Sequence, residues 1–385
     1  MWSVEGCALL EILSHDDVRE NMLCPDLWGV VGLWRLRGVC AVLRHWATAQ
    51  LQACARVVAV GGAVIHRTLA DGQHHRATAS VESMDLATLR WSRGCGDCMP
   101  VLASPRHRHC ACAHPDGTVV VVGGYNKHAL NEQKQLQRMA LRWAPGSRSW
   151  SRLPDLPLDG CGGCGAEAVP LHDGRTMVIG GWSSERRQAL SAVIALSADG
   201  HEWVQLAPLR TARHGFASAI LADGRVLVVG GLTGRRTTST TSSAELWDPM
   251  TGAWTEISPM RSPRSWPAAC VLPSGRVAVV GAKAQGDRKH GECLELRAGD
   301  PRGTWHPLPK TKHVRGMTGV MAVPGGMIVV GSFQKNGAPN EMLDEEMGRW
   351  FKLPHAMIDV RASTRAVPVP SAAIAAMWGP RPLSS

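Results

Sequence analysis

Short apolar runs that end at glycine recur at a regular interval along the chain. The first four end in a pair of glycines and the last two in a single glycine, at 57–62, 119–124, 177–181, 226–231, 277–281 and 328–331. A run of four or five aliphatic residues between turn signals is typical of a buried strand. The pattern therefore predicts one buried strand in each of six repeats.

Two-residue turns stand just before most of these runs. They are Asp116-Gly117, Asp173-Gly174, Asp223-Gly224, Ser274-Gly275 and Gly325-Gly326. Such pairs supply the positive φ angles that tight hairpins need, so each repeat should open with a β-hairpin. Two more short strands complete a repeat, for example 243–247 and 253–257 around a turn at 248–252. Four short antiparallel strands per repeat are typical of a propeller blade.

Tryptophan repeats with the same period. Trp91, Trp150, Trp203, Trp254, Trp305 and Trp350 are 45 to 59 residues apart, and a proline closely follows each of the last five. A period near fifty residues indicates a radial or solenoid architecture rather than one ordinary core.

The glycine doublet, spacer and tryptophan of each repeat resemble the Kelch family. The segment 244–254, Ala-Glu-Leu-Trp-Asp-Pro-Met-Thr-Gly-Ala-Trp, is a clear instance, and the resemblance extends over about 55–378. The family's usual tyrosine after the doublet is missing from nearly every repeat, since Tyr125 is the single tyrosine of the chain. The resemblance implies an all-β fold, a Kelch-type β-propeller.

Closure of the ring depends on the last repeat. We expect six blades, with 366–370 supplying the missing innermost strand of the first blade, because a closed ring leaves no open sheet edge. A partial seventh blade is the alternative. Pro368 and Pro370 weaken the closing strand, since proline cannot donate to a ladder. The predicted domains are a helical segment at 1–52, the propeller at 53–378 and a tail at 379–385.

The segment before the repeats has a helical apolar period over 16–51. Its stretch 33–46 is similar to the end of an F-box, with an apolar pair, Val39-Cys40 and a tryptophan six residues beyond the cysteine. The resemblance implies that Leu36, Val39, Cys40 and Trp46 face a Skp-family linker or the core of the segment. The family's Leu-Pro opening is absent, since His15-Asp16 stands in its place. The alternative is a helical cap that packs its apolar stripe on the propeller.

Five arginines occupy equivalent places in the repeats. Arg106, Arg213 and Arg264 lie seventeen residues before Gly123, Gly230 and Gly281, Arg315 lies sixteen before Gly331, and Arg361 lies seventeen before Trp378. Equal positions in the blades should place the five side chains around one mouth of the channel as a target-binding rim. Arginine binds carboxylate or phosphate bidentately, which favours an acidic or phosphorylated peptide. The alternative is a structural consensus residue that stacks on its neighbour.

Composition limits the other classes of function. The 42 basic and 32 acidic residues give a formal charge of +10, and no apolar stretch has the length of a membrane span. The start of the chain lacks a basic secretory signal, so we expect a cytoplasmic or nuclear protein with reduced cysteines. The sequence has no strip of basic residues interleaved with aromatic residues that could stack on bases, which disfavours nucleic-acid binding.

Metal and enzyme interpretations are weak. Cys95, Cys98, Cys161 and Cys164 form two CxxC pairs, but their starts lie sixty-six residues apart, unlike a compact zinc module, so we expect no metal and no cofactor. Copper radical oxidases share the Kelch repeat, but their site needs two tyrosines. We expect no enzyme. An unassigned propeller enzyme such as an epimerase or lyase is a further alternative, because such sites need no short motif. The predicted function is a substrate-recognition subunit of a Skp-cullin-F-box ubiquitin ligase. The alternative is a Kelch scaffold or cytoskeletal protein without a ubiquitin role.

Overall fold

The structure is a computed structural model that describes residues 25–37, 41–67, 73–93, 99–126, 138–157, 162–234, 239–281, 289–297, 300–332 and 338–370. Within these residues, six four-stranded antiparallel sheets follow one another along the chain. The innermost strand of each sheet contacts the innermost strand of the next, and the sixth contacts the first. The fold is a β-propeller, and its six sheets fit the six-blade interpretation.

Each blade has four strands, which follow one another outward from the channel. From the innermost outward, blade 1 has Arg365–Val369, Arg56–Val60, Val81–Met84 and Trp91–Ser92, and blade 2 has Cys110–Ala113, Val119–Val122, Ala140–Trp143 and Ser151–Arg152. Blade 3 has Glu167–Pro170, Thr176–Ile179, Val193–Leu196 and Trp203–Leu206, and blade 4 has Ala217–Ile220, Val226–Val229, Ala244–Trp247 and Trp254–Ile257. Blade 5 has Ala268–Val271, Val277–Val280, Glu292–Glu295 and Thr304–Pro307, and blade 6 has Gly319–Val323, Gly326–Val330, Glu341–Asp344 and Arg349–Lys352.

Three small sheets lie where the chain leaves the second strands. One joins Gly162–Gly163, Gly181–Ser183 and Gln188–Ala189, the next Arg213–His214, Leu232–Thr233 and Ser239–Thr240, and the third Gln73–Ala77, Ala63–Arg67 and Arg361–Ala362. We call this end of the blades, which carries Gly230 and its equivalents, the upper face. The opposite end, with hairpin turns such as Asp223-Gly224, is the lower face. Each interblade loop runs along the upper face from the fourth strand of one blade to the first strand of the next.

Blade 1 is built from two distant parts of the chain. Its innermost strand pairs antiparallel with Arg56–Val60, with Arg56 opposite Val369 and Val60 opposite Arg365. The sequence predicted this closing strand at 366–370, one residue later than observed. Pro368 is tolerated because an innermost strand has a hydrogen-bonded neighbour on one side only, and proline is acceptable at such an edge.

The hydrophobic core lies between neighbouring blades. Between blades 1 and 2, for example, Val58, Val60 and Val367 pack against Val119 and Val121. Second strands such as Val226–Val229 are buried at every residue, which explains why they appear as continuous apolar runs.

The repeating tryptophans tie the blades together. In blades 2 to 6 the indole N–H donates to a backbone carbonyl of the preceding interblade loop, whereas the indole N–H of Trp91 in blade 1 is buried without such a partner. The bonds run from Trp150 to Pro100 (2.9 Å), Trp203 to Pro154 (2.9 Å), Trp254 to Ala207 (2.9 Å), Trp305 to Ser258 (2.7 Å) and Trp350 to Pro309 (2.9 Å). The fifty-residue period of the sequence is thus the period of this interblade contact.

The described residues before the propeller form two helices, α1 (Pro25–Leu36) and α2 (Ala41–Ala53). Gly29 kinks α1 with a φ of 57°, and a Cβ there would lie 2.8 Å from the Cα of Gly325. This close approach lets the N–H of Val30 donate to the carbonyl of Pro324 at 2.9 Å on the lower face of blade 6. No described helix combines the length and the apolar character needed to cross a membrane.

The buried face of the helices packs on the seam between blades 6 and 1. Val30, Leu33, Ala47 and Leu51 share one core cluster with strands of both blades. The indole of Trp34 donates to the carbonyl of Leu86 in blade 1 at 3.1 Å. At these positions the apolar stripe packs on the propeller, as the alternative cap hypothesis predicts. The domain boundary after residue 52 remains a prediction.

Candidate interaction face

The five arginines singled out from the sequence occupy equivalent positions, but they are internal. Each guanidinium donates to the carbonyl of the glycine that ends a second strand. The acceptors are Gly123 for Arg106, Gly230 for Arg213, Gly281 for Arg264, Gly331 for Arg315 and Gly61 for Arg361. This hydrogen bond explains the regular spacing between arginine and glycine in the sequence. For Arg361 the partner is Gly61 of blade 1, across the ring closure, and Trp378 lies outside the described residues.

Four of these arginines form ion pairs with a glutamate on the third strand of the same blade. The pairs are Arg213–Glu245 (2.7 Å), Arg264–Glu292 (2.8 Å), Arg315–Glu341 (3.0 Å) and Arg361–Glu82. Burial lowers the pKa of Arg213, Arg315 and Arg361, while the paired glutamates oppose the shift. The glutamate compensates the cost of burying the guanidinium.

The same glutamates hold the interblade loops. Glu245 accepts the backbone N–H of Arg210 at 2.7 Å and that of Thr211 at 3.1 Å. Glu292 accepts the N–H of Arg261 at 2.7 Å, and Glu82 accepts that of Ile358 at 2.8 Å. Each carboxylate therefore fixes the loop that enters its blade.

Arg106 in blade 2 lacks the carboxylate at this position. Leu141 lies opposite Val121, the place that Glu245 takes opposite Val228 in blade 4. The guanidinium instead contacts the hydroxyl of Ser104 at 2.9 Å and the sulfur of Met139 at 3.0 Å. Burial lowers its pKa to about 10.

This geometry corrects the expected rim. Arg106, Arg213, Arg264, Arg315 and Arg361 are at most 1% exposed. In this conformation their side chains do not line an open mouth, because their donors are bound inside the blades. Their regular placement has the structural role that the alternative hypothesis assigned to them, with an ion pair in place of the expected stacking.

Exposed cations do occur on the upper face, three residues earlier in the interblade loops. Arg210, Arg261 and Lys312 stand at the same distance before Arg213, Arg264 and Arg315, and all three are exposed. We call these three residues the basic arc. Arg210 lies 4.0 Å from Glu256, but exposed pairs of this kind contribute little. Each arc cation stands three residues before a buried arginine, and this spacing is visible in the sequence. Only the buried arginine of each pair was recognised as a candidate.

A collar of backbone surrounds the channel on the same face. It consists of the residues two positions after each arginine position, namely Arg108, Gly165, Gly215, Trp266, Met317 and Ser363, and all have positive φ between 52° and 72°. Five N–H to carbonyl bonds link each of these residues to the preceding one, at 2.6 to 3.3 Å. A left-handed conformation costs a non-glycine residue about 1 to 2 kcal/mol, so these hydrogen bonds hold the backbone of Arg108, Trp266, Met317 and Ser363 in it.

Trp266 covers the channel mouth. A Cβ on Gly215 would lie 2.8 Å from its indole, as would a Cβ on Gly165, so the ring lies flat over both glycines. The guanidinium of Arg108 lies 5.0 Å from the indole centroid, a cation–π distance. His214 contacts the same ring edge-on with centroids 5.9 Å apart. The mouth is thus closed by a half-exposed aromatic and cationic cluster.

The channel below is small and polar. Its cavity of about 100 Å³ is crossed by Arg365 of blade 1, which lies 2.6 Å from Glu167 of blade 3. Burial raises the pKa of Glu167, and Arg365 opposes the shift.

The helical residues singled out for partner binding are only partly described. Leu36 is half-buried and packs against the core cluster at the blade 6 and blade 1 seam. Trp46 lies on α2, and nothing is described of its side chain, while Val39 and Cys40 lie outside the described residues. The role of all four in partner binding remains a prediction.

Of the four cysteines that raised the question of a metal, only Cys164 is described. Cys164 is a buried free thiol, and Cys95, Cys98 and Cys161 lie outside the described residues. Burial also raises the pKa of the neighbouring Cys110 thiol to about 12. No group of three metal-binding side chains occurs among the described residues.

Comparison with known proteins agrees with the fold. The Kelch motif family matches residues 213–261, which include the whole of blade 4. Kelch-like protein 40 of Xenopus tropicalis is 28% identical over 185 residues, 48% of this chain and 28% of its own length. An F-box/kelch-repeat protein of Arabidopsis thaliana is 32% identical over 165 residues, 40% of each chain.

These alignments are partial, since they span between a quarter and two fifths of the curated relatives, from 24% to 40%. The solved structure titled "Structure of YjhT" superposes with a TM-score of 0.51 at 18% identity, over 66% of this chain and 81% of the other, and this likeness concerns the fold alone. Together the matches support a Kelch-repeat protein, and its fold is a β-propeller.

Proposed function

We propose that the protein is an interaction module that binds an acidic or phosphorylated segment of a target protein on its upper face. The observation that carries this proposal is the basic arc. Arg210, Arg261 and Lys312 project from equivalent loops of three consecutive blades, and all are exposed.

The loops that carry the arc are fixed from below. The backbone N–H groups of Arg210 and Arg261 are bound by Glu245 and Glu292 at 2.7 Å in each case. A cation on a rigid loop loses less conformational freedom on binding than one on a mobile loop. Arg210 and Arg261 are therefore preorganised members of the arc for binding carboxylate or phosphate.

Charge supports the same ligand class. The formal charge of +10 attracts acidic partners over a longer range, and exposed charges mainly raise the association rate. Trp266 and Arg108 at the adjacent mouth add a large aromatic and cationic contact, the residue types that carry most binding energy at protein interfaces.

The proposal can be tested with a defined probe, a fluorescein-labelled octapeptide of seven glutamates and one central serine. Fluorescence anisotropy with the full chain would give its Kd at several salt concentrations. The double variant Arg261→Ala, Lys312→Ala should raise the Kd by about twofold to thirtyfold and flatten its salt dependence. Phosphorylation of the central serine should tighten binding.

Arg302→Ala provides the matched control. Arg302 is an exposed arginine of the same blade 5, in the turn of the lower face between Glu292–Glu295 and Thr304–Pro307. This variant has the charge change of a single arc variant, and binding should stay unchanged. Equal affinity of wild type and the double arc variant, or equal weakening by Arg302→Ala, would remove the arc from the proposal.

A second proposal concerns the wider assembly, a substrate-recognition subunit of a Skp-cullin-F-box ubiquitin ligase. It is supported by the helical segment before the propeller and by the names of the Arabidopsis thaliana relatives, which combine F-box and kelch. In this proposal Leu36, Val39, Cys40 and Trp46 contact a Skp-family linker. The propeller would hold the target near the ubiquitin-charged enzyme and act by proximity.

Co-expression with a Skp-family linker tests the second proposal. A stable complex on size-exclusion chromatography that is lost in Trp46→Ala, with an unchanged melting temperature of that variant, is the expected result. If wild type forms no complex, a Kelch scaffold or cytoskeletal interaction protein is the better proposal, with α1 and α2 as a structural cap. The acidic probe binds the upper face in either case, so the two proposals fail independently.

A further inference from the structure

A groove of about 290 Å³ lies at the upper end of blade 6, where the loop to blade 1 leaves the fourth strand. Its walls include Pro339, Leu353, Met357 and Val360, and polar groups are contributed by Asn340 and Lys352. We call these six residues the seam groove. Met357 is buried at its floor, whereas Val360 is 38% exposed.

The loop beside the groove breaks the charge pattern of the basic arc. Three residues before Arg361 stands Ile358, at the position that Arg210, Arg261 and Lys312 occupy in their own interblade loops. Ile358 is 52% exposed, and Glu82 fixes its backbone N–H as the equivalent glutamates fix those of Arg210 and Arg261. The same rigid position therefore presents an aliphatic side chain beside the groove and a cation elsewhere.

The charges next to the groove are already compensated. Asp359, which contributes to its wall, lies 2.6 Å from Arg93 and 3.1 Å from Arg361. An apolar group entering the groove therefore leaves this carboxylate paired. Lys352 at the end of the outermost strand is exposed, which favours an acidic flank for anything bound there.

The size of the groove sets its occupant. Ligand pockets for whole small molecules begin at about 300 Å³, so this groove fits a single large side chain rather than a cofactor. Singly exposed aliphatic residues are ordinary on protein surfaces. Here, however, Val360 borders a preformed cavity on the face that carries the basic arc, and Ile358 is exposed in the same loop.

We propose that the seam groove is a subsite for one large apolar side chain, leucine or similar, within the acidic segment of the target. The inference rests on the proposed binding of an acidic segment to the upper face. It adds the specificity element that the charges lack: the arc attracts acidic chains in general, and the groove selects those with an apolar anchor.

A second peptide tests this subsite, an octapeptide of seven glutamates with a central leucine in place of the serine. Wild type should bind the leucine peptide about tenfold more tightly than the serine peptide, because the apolar side chain leaves water. Val360→Ser should abolish this preference while the Kd of the serine peptide stays unchanged. The arc double variant Arg261→Ala, Lys312→Ala should weaken both peptides and keep the preference.

Val204→Ser is the matched control, since Val204 is 44% exposed on the outermost strand of blade 3. It should keep the tenfold preference. Equal affinity of the two peptides for wild type, or a preference that survives Val360→Ser, would overturn the subsite and leave the arc intact. If neither peptide binds at low salt, the arc and the subsite both fall. A preference lost equally in Val204→Ser would also overturn the assignment to the groove.

Discussion

Arg213 and Glu245 form an ion pair at 2.7 Å that neither water nor a ligand reaches, since both side chains are fully buried. The arginine also donates to the carbonyl of Gly230, and the glutamate accepts two N–H groups of the loop that enters blade 4. One pair of side chains thus connects the second strand, the third strand and the interblade loop.

Removal of one partner should be strongly destabilising. Glu245→Gln leaves the guanidinium of Arg213 without its charge partner, and breaking a buried pair in this way costs about 3 to 5 kcal/mol. Urea unfolding of wild type and variant would measure the difference. The double variant Arg213→Met, Glu245→Leu should be less destabilised than Glu245→Gln, because no uncompensated charge remains. A Glu245→Gln variant as stable as wild type would contradict the role assigned to the pair.

Arg106 should respond differently from Arg213. Its guanidinium is buried, and Leu141 takes the place that Glu245 has in blade 4, so no carboxylate stands at that position. Arg106→Met therefore removes a costly buried charge together with its hydrogen bonds, whereas Arg213→Met strands a glutamate. We expect both variants to lower the free energy of unfolding. The decrease should be smaller for Arg106→Met than for Arg213→Met, by at least about 1 kcal/mol. Equal losses in parallel urea titrations would show that the missing carboxylate is unimportant.

Acid should destabilise the fold through buried histidines. Burial, together with Arg108, lowers the pKa of His214 from 6.5 to about 4, and burial lowers the pKa of His109 well below 6.5, with Arg106 next in effect. Between pH 6.5 and the lowered pKa values, these two histidines bind protons in the unfolded chain but not in the folded chain. Stability is therefore complete above about pH 6.5 and is lost as the pH falls towards 4.

His214→Gln should remove part of this loss. The variant should flatten the decline of unfolding free energy between pH 6.5 and 4 by up to about 1.4 kcal/mol per pH unit, the contribution of one proton. His201→Gln, at an exposed histidine of blade 3, should leave the slope as in wild type. If His214→Gln has the wild-type slope, His214 is protonated in the folded state and the assignment is wrong.

The two helices should contribute to the stability of the propeller rather than form an independent unit. Leu33 of α1 is fully buried against blades 6 and 1, so Leu33→Ala should cost about 2 to 5 kcal/mol of unfolding free energy. Arg35→Ala on the exposed side of the same helix is the control and should cost little. Unchanged stability of the propeller in Leu33→Ala would show that α1 is an independent unit.

The fold was largely predictable because its signals are local. Each glycine run marks a second strand, and each tryptophan marks a fourth strand, whose indole binds the preceding loop in blades 2 to 6. The closing strand was placed within one residue because an apolar segment remained unpaired at the end of the repeats.

The positions of the arginines alone did not show whether their side chains point into the blades or towards solvent. Their carboxylate partners lie on the third strand, 32 residues away for Arg213 and 28 for Arg264. The recurrence of Glu245 and Glu292 at equivalent places was visible in the sequence, and it would have indicated internal pairs. The seam groove has no such signal, since it depends on how the strand ends of blade 6 pack against the loop that leads to blade 1.

The closing strand also affects how the chain can fold during synthesis. Blade 1 needs Arg365–Val369 beside Arg56–Val60, so some three hundred residues separate partners in one sheet. Blades 2 to 6 each use a continuous segment and can form as the ribosome releases them, whereas Arg56–Val60 waits with an unpaired edge until the last blade has been made. During that interval the edge is open to other chains, and a chaperone that shields it would govern the yield of closed rings.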